Sequence, residues 1–477
     1  MSSVTQAPAV TASKGFESLE DETQVASLPV RGELPAWLTG SLLRTGPAKW
    51  EVGGRSMNHW FDGLAMLHRF SFDDGEVSYA NRFLETRAYR AAKRDGRIAY
   101  SEFATDPCRS LFQRVTAMFS PKLTDNANVN LVELGERFIS MTETPIPVQF
   151  DGRTLETAGV AYKPPGMLTT AHPHLDRATR GMLNYAAKLG PRSSYRFFLL
   201  APDATKPRVL ASKPVREPAY MHSFGLTERW LVLSEFPYVV NPLNLALSGR
   251  PYIENYRWKP ELGTRFHLFD RSTGKSVGPF EAEPRFGFHH VNCFEQDGEV
   301  IADICTFRDA SIVEDLYLER LRAGKRLAQP SLERFRISPG SGAVATETLV
   351  DHPMELPRIN YGRCNERPYR YAWGVSDSPD GTWLERIVKA DVEEGLTTVW
   401  GEDGSYPGEP VFVAAPDADG EDEGVLLSIV LDGARGTSFL LVLDAGSLEE
   451  LARAAVPHHI PFGFHGQFAP RLSLAPD

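Results

Sequence analysis

From about Gly32 onward, short apolar runs alternate with tight turns carrying glycine or aspartate, almost to the end of the chain. This alternation confines the fold to closed or stacked β architecture, because strand pairs at such density leave little chain for helices. Residues 67–72 and 76–80 read as a hairpin turned by Asp73-Asp74-Gly75. Residues 128–134 and 137–141 read as a second, turned at Gly135-Glu136. Residues 265–269 run into an Asp270-Arg271-Ser272-Thr273-Gly274 turn, and residues 425–431 pair with 438–443. A sandwich, a barrel or a propeller would each accommodate this pattern.

Helix signals are few. Asp106-Pro107 is an N-cap and first-turn pair, and Leu111, Phe112, Val115, Met118 and Phe119 after it share one helical face. Ser311-Ile312-Val313-Glu314 and Ser447-Leu448-Glu449-Glu450 have the form of capping boxes. Asn241-Pro242 opens an apolar segment with Leu243, Leu245, Ala246 and Leu247. The stretch from Met1 to Lys14 is rich in Ser, Thr and Ala and reads as a disordered tail, which leaves residues 15–477 as one domain. No apolar run reaches the roughly 18 residues of a membrane-spanning helix.

A net charge of −11 over 477 residues argues against nucleic acid as the main partner. Four cysteines, Cys108, Cys293, Cys305 and Cys364, form no CxxC pair, so neither a zinc knuckle nor a disulfide framework is signalled and a reducing cytoplasm is the default.

Four histidines stand in similar strand-like settings: His172 in Thr170-Ala171-His172-Pro173, His222 in Tyr220-Met221-His222-Ser223-Phe224, His289 in Gly287-Phe288-His289-His290-Val291-Asn292, and His465 in Phe462-Gly463-Phe464-His465-Gly466. Apolar flanks bury an imidazole, and a buried imidazole needs a partner. Four such settings suggest convergence on one metal, with iron favoured for redox work and zinc, copper or nickel open. His174, His290 and His459 are the neighbouring rivals, and any one histidine alone is more often a hydrogen-bonded core residue. The gaps of 50, 67 and 176 residues are near one, one and three or four propeller blades of roughly 40–50 residues. Glu143, Glu355 and Glu409 have apolar or proline flanks that also favour burial, and they would suit carboxylates receiving the second ring N–H of ligating histidines.

The motifs Phe61-Asp62-Gly63, Thr124-Asp125-Asn126-Ala127, Met221-His222-Ser223-Phe224-Gly225-Leu226-Thr227, Phe288-His289-His290-Val291-Asn292, Glu355-Leu356-Pro357-Arg358-Ile359-Asn360-Tyr361 and Tyr406-Pro407-Gly408-Glu409-Pro410 resemble those of the carotenoid cleavage oxygenases, from about Gly32 to Phe468. Residues 106–112 and Thr142-Glu143 look like the animal-type branch, with its β-carotene oxygenases and retinal pigment epithelium isomerohydrolase. The resemblance implies an all-β, seven-bladed propeller with a small helical cap and Fe(II) on its axis. It selects His289 over His290 and implies that Glu143, Glu355 and Glu409 orient His222, His289 and His465, leaving His172 without a carboxylate.

The implied activity is cleavage of a carotenoid double bond by dioxygen, giving two carbonyl products. Cleavage of apocarotenoids or stilbenes, and a non-oxidative isomerisation on the same scaffold, are the alternatives; a propeller that merely binds a lipid or protein partner would have no need of four buried histidines. Trp60, Phe61, Phe103 and Thr142 are candidates for lining a tunnel that holds the polyene. Because carotenoids dissolve in membranes, the apolar face at 111–119 with Arg109, Arg114 and Lys122, together with residues 243–247, is expected to form a monotopic membrane patch on a cytoplasmic, peripherally associated protein.

Overall fold

The computed structural model describes residues 12–107, 123–377 and 381–472. Among them, seven antiparallel sheets of four to six strands are arranged as the blades of a propeller, beside two two-stranded ribbons. Each blade has an inner strand, and several of these touch across blades. These inner strands include Asn130–Leu134, His174–Leu175, Gly225–Leu226, Phe286–Gln296, Glu355–Arg358, Val411–Ala414 and Gly466–Ala469.

Middle strands are packed on both faces by adjacent blades, so they read as near-continuous apolar runs. Gly424–Asp432 is buried from Val425 to Leu431 and pairs with Thr437–Asp444. The hairpins expected from the turns are present: Leu64–Asp73 pairs with Glu76–Phe83, and Asn130–Leu134 with Arg137–Met141. Asp74 and Gly75 take φ of 44° and 75°, the left-handed pair that matches strand twist in a two-residue turn.

The ring is closed twice by pairing the chain's two ends. Gly40–Lys49 bonds to Gly466–Ala469, from Ser41 opposite Ala469 to Arg44 opposite Gly466. Val30–Gly32 bonds to Glu450–Ala455. The first closure delivers His465 to the axis.

Several local expectations need correction. The tail expected through residue 14 gives way earlier: Ala12–Phe16 is a 3-10 turn whose Phe16 is buried, edge-on to Trp383 at 4.8 Å. Ser447 opens no helix. Its N–H donates to Asp444 Oδ1 at 2.7 Å, and Leu448 adopts a φ of 62°, so the residues turn the chain into the strand Glu450–Ala455. Ser311–Asp315 is helical, but its N-cap is Ala310 and no side chain caps it. Asn241 does cap Pro242–Leu247, accepting from Leu243 N–H at 2.9 Å. Cys108 and the apolar face at 111–119 lie outside the described residues. Cys293, Cys305 and Cys364 are buried and free.

Candidate metal centre

Only His289 lies inside a strand. His172, His222 and His465 sit in the short links that lead into the inner strands of their blades. This is a further correction to the strand-like settings. A strand alternates its side chains between faces, whereas a link at the axial end of a blade can aim a side chain along the axis. His289 achieves the same at a register shift between Gly287 and His290.

Propeller geometry brings the four rings together. One nitrogen from each lies within 4.8 Å of the others, with His172 Nε2 to His222 Nε2 at 3.0 Å and His289 Nε2 to His465 Nε2 at 3.1 Å. Burial holds His172 and His222 below the ordinary imidazole range despite Glu143 beside the latter, and pushes His465 down to about 3. These rings are therefore neutral near pH 7.

A glutamate stands behind each of three rings. His222 Nδ1 is 2.7 Å from Glu143 Oε1, His289 Nδ1 is 2.5 Å from Glu355 Oε2, and His465 Nδ1 is 2.7 Å from Glu409 Oε1. His172 has no such carboxylate among the described residues. In a neutral ring, an Nδ1–H donated to a carboxylate leaves Nε2 as a bare lone pair. His289 and His465 bring their Nε2 atoms to 3.1 Å, each with its Nδ1 turned to a carboxylate. Four ring nitrogens within 4.8 Å of one another form a cradle for a cation. The donor set, four imidazoles with carboxylates behind three of them, fits a divalent transition metal.

The carboxylates differ in their own support. Glu409 is 1 % exposed. It receives Arg358 Nε at 2.8 Å and Gly466 N–H at 2.9 Å, and Arg44 Nη1 lies 3.7 Å away. Burial alone would raise its pKa, but Arg358, His465 and Arg44 together hold it well below the usual carboxylate range. Gly466 is required here, since a Cβ would lie 2.6 Å from Arg44 Cγ. Glu143 instead receives the Tyr220 hydroxyl at 2.6 Å.

Arg44, Arg358 and Tyr220 were not singled out in the sequence. Arg358 lies in the same motif as Glu355, and Tyr220 is two residues before His222, so proximity to a candidate was the available signal. Arg44 reaches the site only through the ring closure. The rival histidines are engaged elsewhere: His290 between Ser223 and Ser234, His174 with Tyr361 and the Phe224 carbonyl, and His459 near the Glu17 carbonyl.

An apolar cavity opens beside His222, His289 and His465. Trp60, Phe61, Phe288, Phe307, Trp383 and Phe464 line it. Trp60 packs on Phe464 at 4.3 Å, and Phe61 on Phe464 at 5.0 Å. Phe103 stands one layer back, against Phe61 at 5.1 Å and Tyr220 at 6.0 Å, and Thr142 is half-buried next to Glu143; neither lines this cavity. Phe288, Phe464 and Trp383 were missed, although two of them directly precede ligand candidates.

Residues 16–470 match the family described as retinal pigment epithelial membrane protein. The chain belongs to that family, the carotenoid cleavage oxygenases. It is 36% identical to a mitochondrial carotenoid-cleaving dioxygenase of Mustela putorius furo, with 94% of this chain and 95% of that protein aligned. It is 34% identical to a carotenoid isomerooxygenase of Galleria mellonella, with 95% of each aligned. A β,β-carotene 15,15'-dioxygenase of Rattus norvegicus is 35% identical over 92% of this chain and 88% of its own length. Among solved structures, cobalt-substituted apocarotenoid oxygenase of Synechocystis superposes with a TM-score of 0.86 at 26% identity, covering 96% of this chain and 98% of that one.

Proposed function

We propose that this member of the family is an Fe(II)-dependent dioxygenase that cleaves a carbon–carbon double bond of a carotenoid into two carbonyl products. The observation that carries this reading is the convergence of one ring nitrogen from each of His172, His222, His289 and His465 within 4.8 Å, opening directly onto an aromatic cavity. His172, His222, His289 and His465 would hold the iron, which when bound supplies the redox chemistry and the binding of dioxygen.

The protein's own contribution is positional. Glu143, Glu355 and Glu409 fix the Nδ1–H tautomers, so that each Nε2 is presented as a donor atom. Phe61, Trp60, Phe288 and Phe464 offer flat apolar faces that hold a polyene in one orientation and keep water away from the reacting bond. No side chain is assigned to move a proton, because the reaction requires none.

Peripheral association with a lipid surface belongs to the same proposal. Leu243 and Leu247, on the capped helix Pro242–Leu247, are each 64% exposed, which suits insertion among lipid headgroups. No described helix is long and apolar enough to cross a membrane. Isomerisation coupled to cleavage is a second reading, favoured by the name of the Galleria mellonella relative. The test is incubation of the iron-loaded protein with carotenoids, apocarotenals and stilbenes under isotopically labelled dioxygen. Labelled aldehydes from a carotenoid are expected. Products with altered double-bond geometry would add the isomerase activity, and no cleavage of any carotenoid would overturn the proposal.

A further inference from the structure

The aromatic cavity is not apolar throughout. Part of its wall is made by Phe307, Ala328, Gln329, Pro330, Pro353 and Asp377, and the same six residues wall a separate outer groove. They form a partition between two environments. Inside, aromatic and aliphatic side chains predominate. Outside, the groove is lined by Arg285, Arg308, Asp309, Arg326, Glu333 and Asp351 among others.

Two polar side chains stand in the partition and bond to each other: Gln329 Nε2 donates to Asp377 Oδ2 at 2.6 Å. Asp377 is 7 % exposed, whereas Gln329 is exposed. Burial raises the Asp377 carboxyl, with the Gln329 hydrogen bond opposing. Trp383, another residue of the same cavity wall, carries a buried Nε1–H with no partner. Asp377 is the last residue of the strand Tyr371–Asp377 and lies opposite Leu384, so Asp377 and Trp383 share one end of a hairpin. The segment carrying Gln329 is pinned from below, where Ala328 N–H donates to Asp315 Oδ2 at 2.9 Å.

The iron reading gives none of these polar groups a task. A carboxylate and an indole N–H in the wall of a hydrocarbon-lined cavity match a ligand that is apolar along its length and oxygenated at one end. A hydroxyl there could donate to Asp377 or to the Gln329 amide oxygen and accept from Trp383. A hydrocarbon terminus would leave the Trp383 N–H without a partner and offer nothing to the Asp377 carboxylate, which is the costly alternative. The geometry points to Gln329 and Asp377 as residues that set substrate specificity, by binding the hydroxyl- or carbonyl-bearing end of an oxygenated carotenoid or apocarotenoid in preference to its all-hydrocarbon parent. This inference rests on the carotenoid-cleaving reading of the histidine site and names which members of that substrate class the chain prefers.

The experiment compares a carotenoid hydroxylated on its terminal rings with its hydrocarbon parent, using the iron-loaded full chain. Two readouts are taken: the ratio of kcat/KM for the two compounds, and binding to the metal-free protein followed by quenching of the cavity tryptophans. Wild type is expected to favour the hydroxylated compound by about tenfold or more in both, the worth of one good hydrogen bond to a charged group. Asp377→Leu should bring both ratios close to unity. Gln329→Leu changes an exposed side chain and supplies the test if Asp377→Leu does not fold; it should lower the ratios severalfold. Equal preference in wild type, or ratios unchanged in Gln329→Leu and in a folded Asp377→Leu, would overturn the inference while leaving carotenoid cleavage intact. Binding of both compounds without cleavage of either would overturn the enzymatic reading, and the quenching ratio would still decide the role of Gln329 and Asp377.

Discussion

Glu409 and Glu143 face the same histidine cluster from different blades and are built differently. Glu409 is fully enclosed and held between Arg44 and Arg358, with the Gly466 N–H on its second oxygen. Glu143 is 12 % exposed at its side chain and has the Tyr220 hydroxyl as its added support. Both receive the Nδ1–H of a histidine at 2.7 Å. The difference teaches that one contact to a ligand can serve two ends. At Glu409 it is part of the ion cluster that locks the ring closure, because Arg44 and Gly466 are cross-strand partners there. At Glu143 it is a local tether on one ring.

Substitutions to glutamine separate these roles. The largest effect is expected for Glu409→Gln, which leaves the buried Arg44 guanidinium facing a neutral amide. Removing one member of a buried ion cluster costs about 3–5 kcal/mol, so calorimetry should show a clearly lowered melting temperature together with loss of iron. A melting temperature equal to wild type would erase the distinction between the two carboxylates. Glu355→Gln comes next. Its Oε2 bonds His289 Nδ1 and the Leu356 N–H, and iron affinity should weaken by roughly 10–100-fold with a smaller change in stability; competition with a chelator measures this. Glu143→Gln should fall at the weak end of that range, about tenfold, because an amide oxygen still accepts from both Tyr220 and His222. Tyr220→Phe is the mildest, removing one hydrogen bond worth about 1 kcal/mol. If it weakened iron binding more than Glu143→Gln, Tyr220 rather than Glu143 would be the tether on His222.

Much of this was legible in the residues because it is local. Turns such as Asp74-Gly75 and Gly135-Glu136 announce themselves by backbone preference, and the hairpins follow. The histidines were legible from their apolar flanks, and their pairing with the three glutamates from family motifs. Long-range pairing was not. Nothing near Arg44 signals that residues 40–49 bond to 466–469, since register across that separation is set by the closed ring rather than by neighbouring residues. Ser447 misled because a capping box and an Asx turn use the same residue types, and only the strand that follows decides between them. The polar partition at Gln329 and Asp377 comes from two segments that meet only in three dimensions.

The central claim is that four imidazoles from four blades hold one metal ion. Its most direct test is the metal content of the purified chain after anaerobic reconstitution with Fe(II) and removal of unbound metal, for wild type and for His172→Ala, His222→Ala, His289→Ala and His465→Ala. The account predicts one iron per chain in wild type and a large loss in each variant that remains folded. Wild-type protein that retains no iron, or a folded His289→Ala protein that retains as much as wild type, would contradict it.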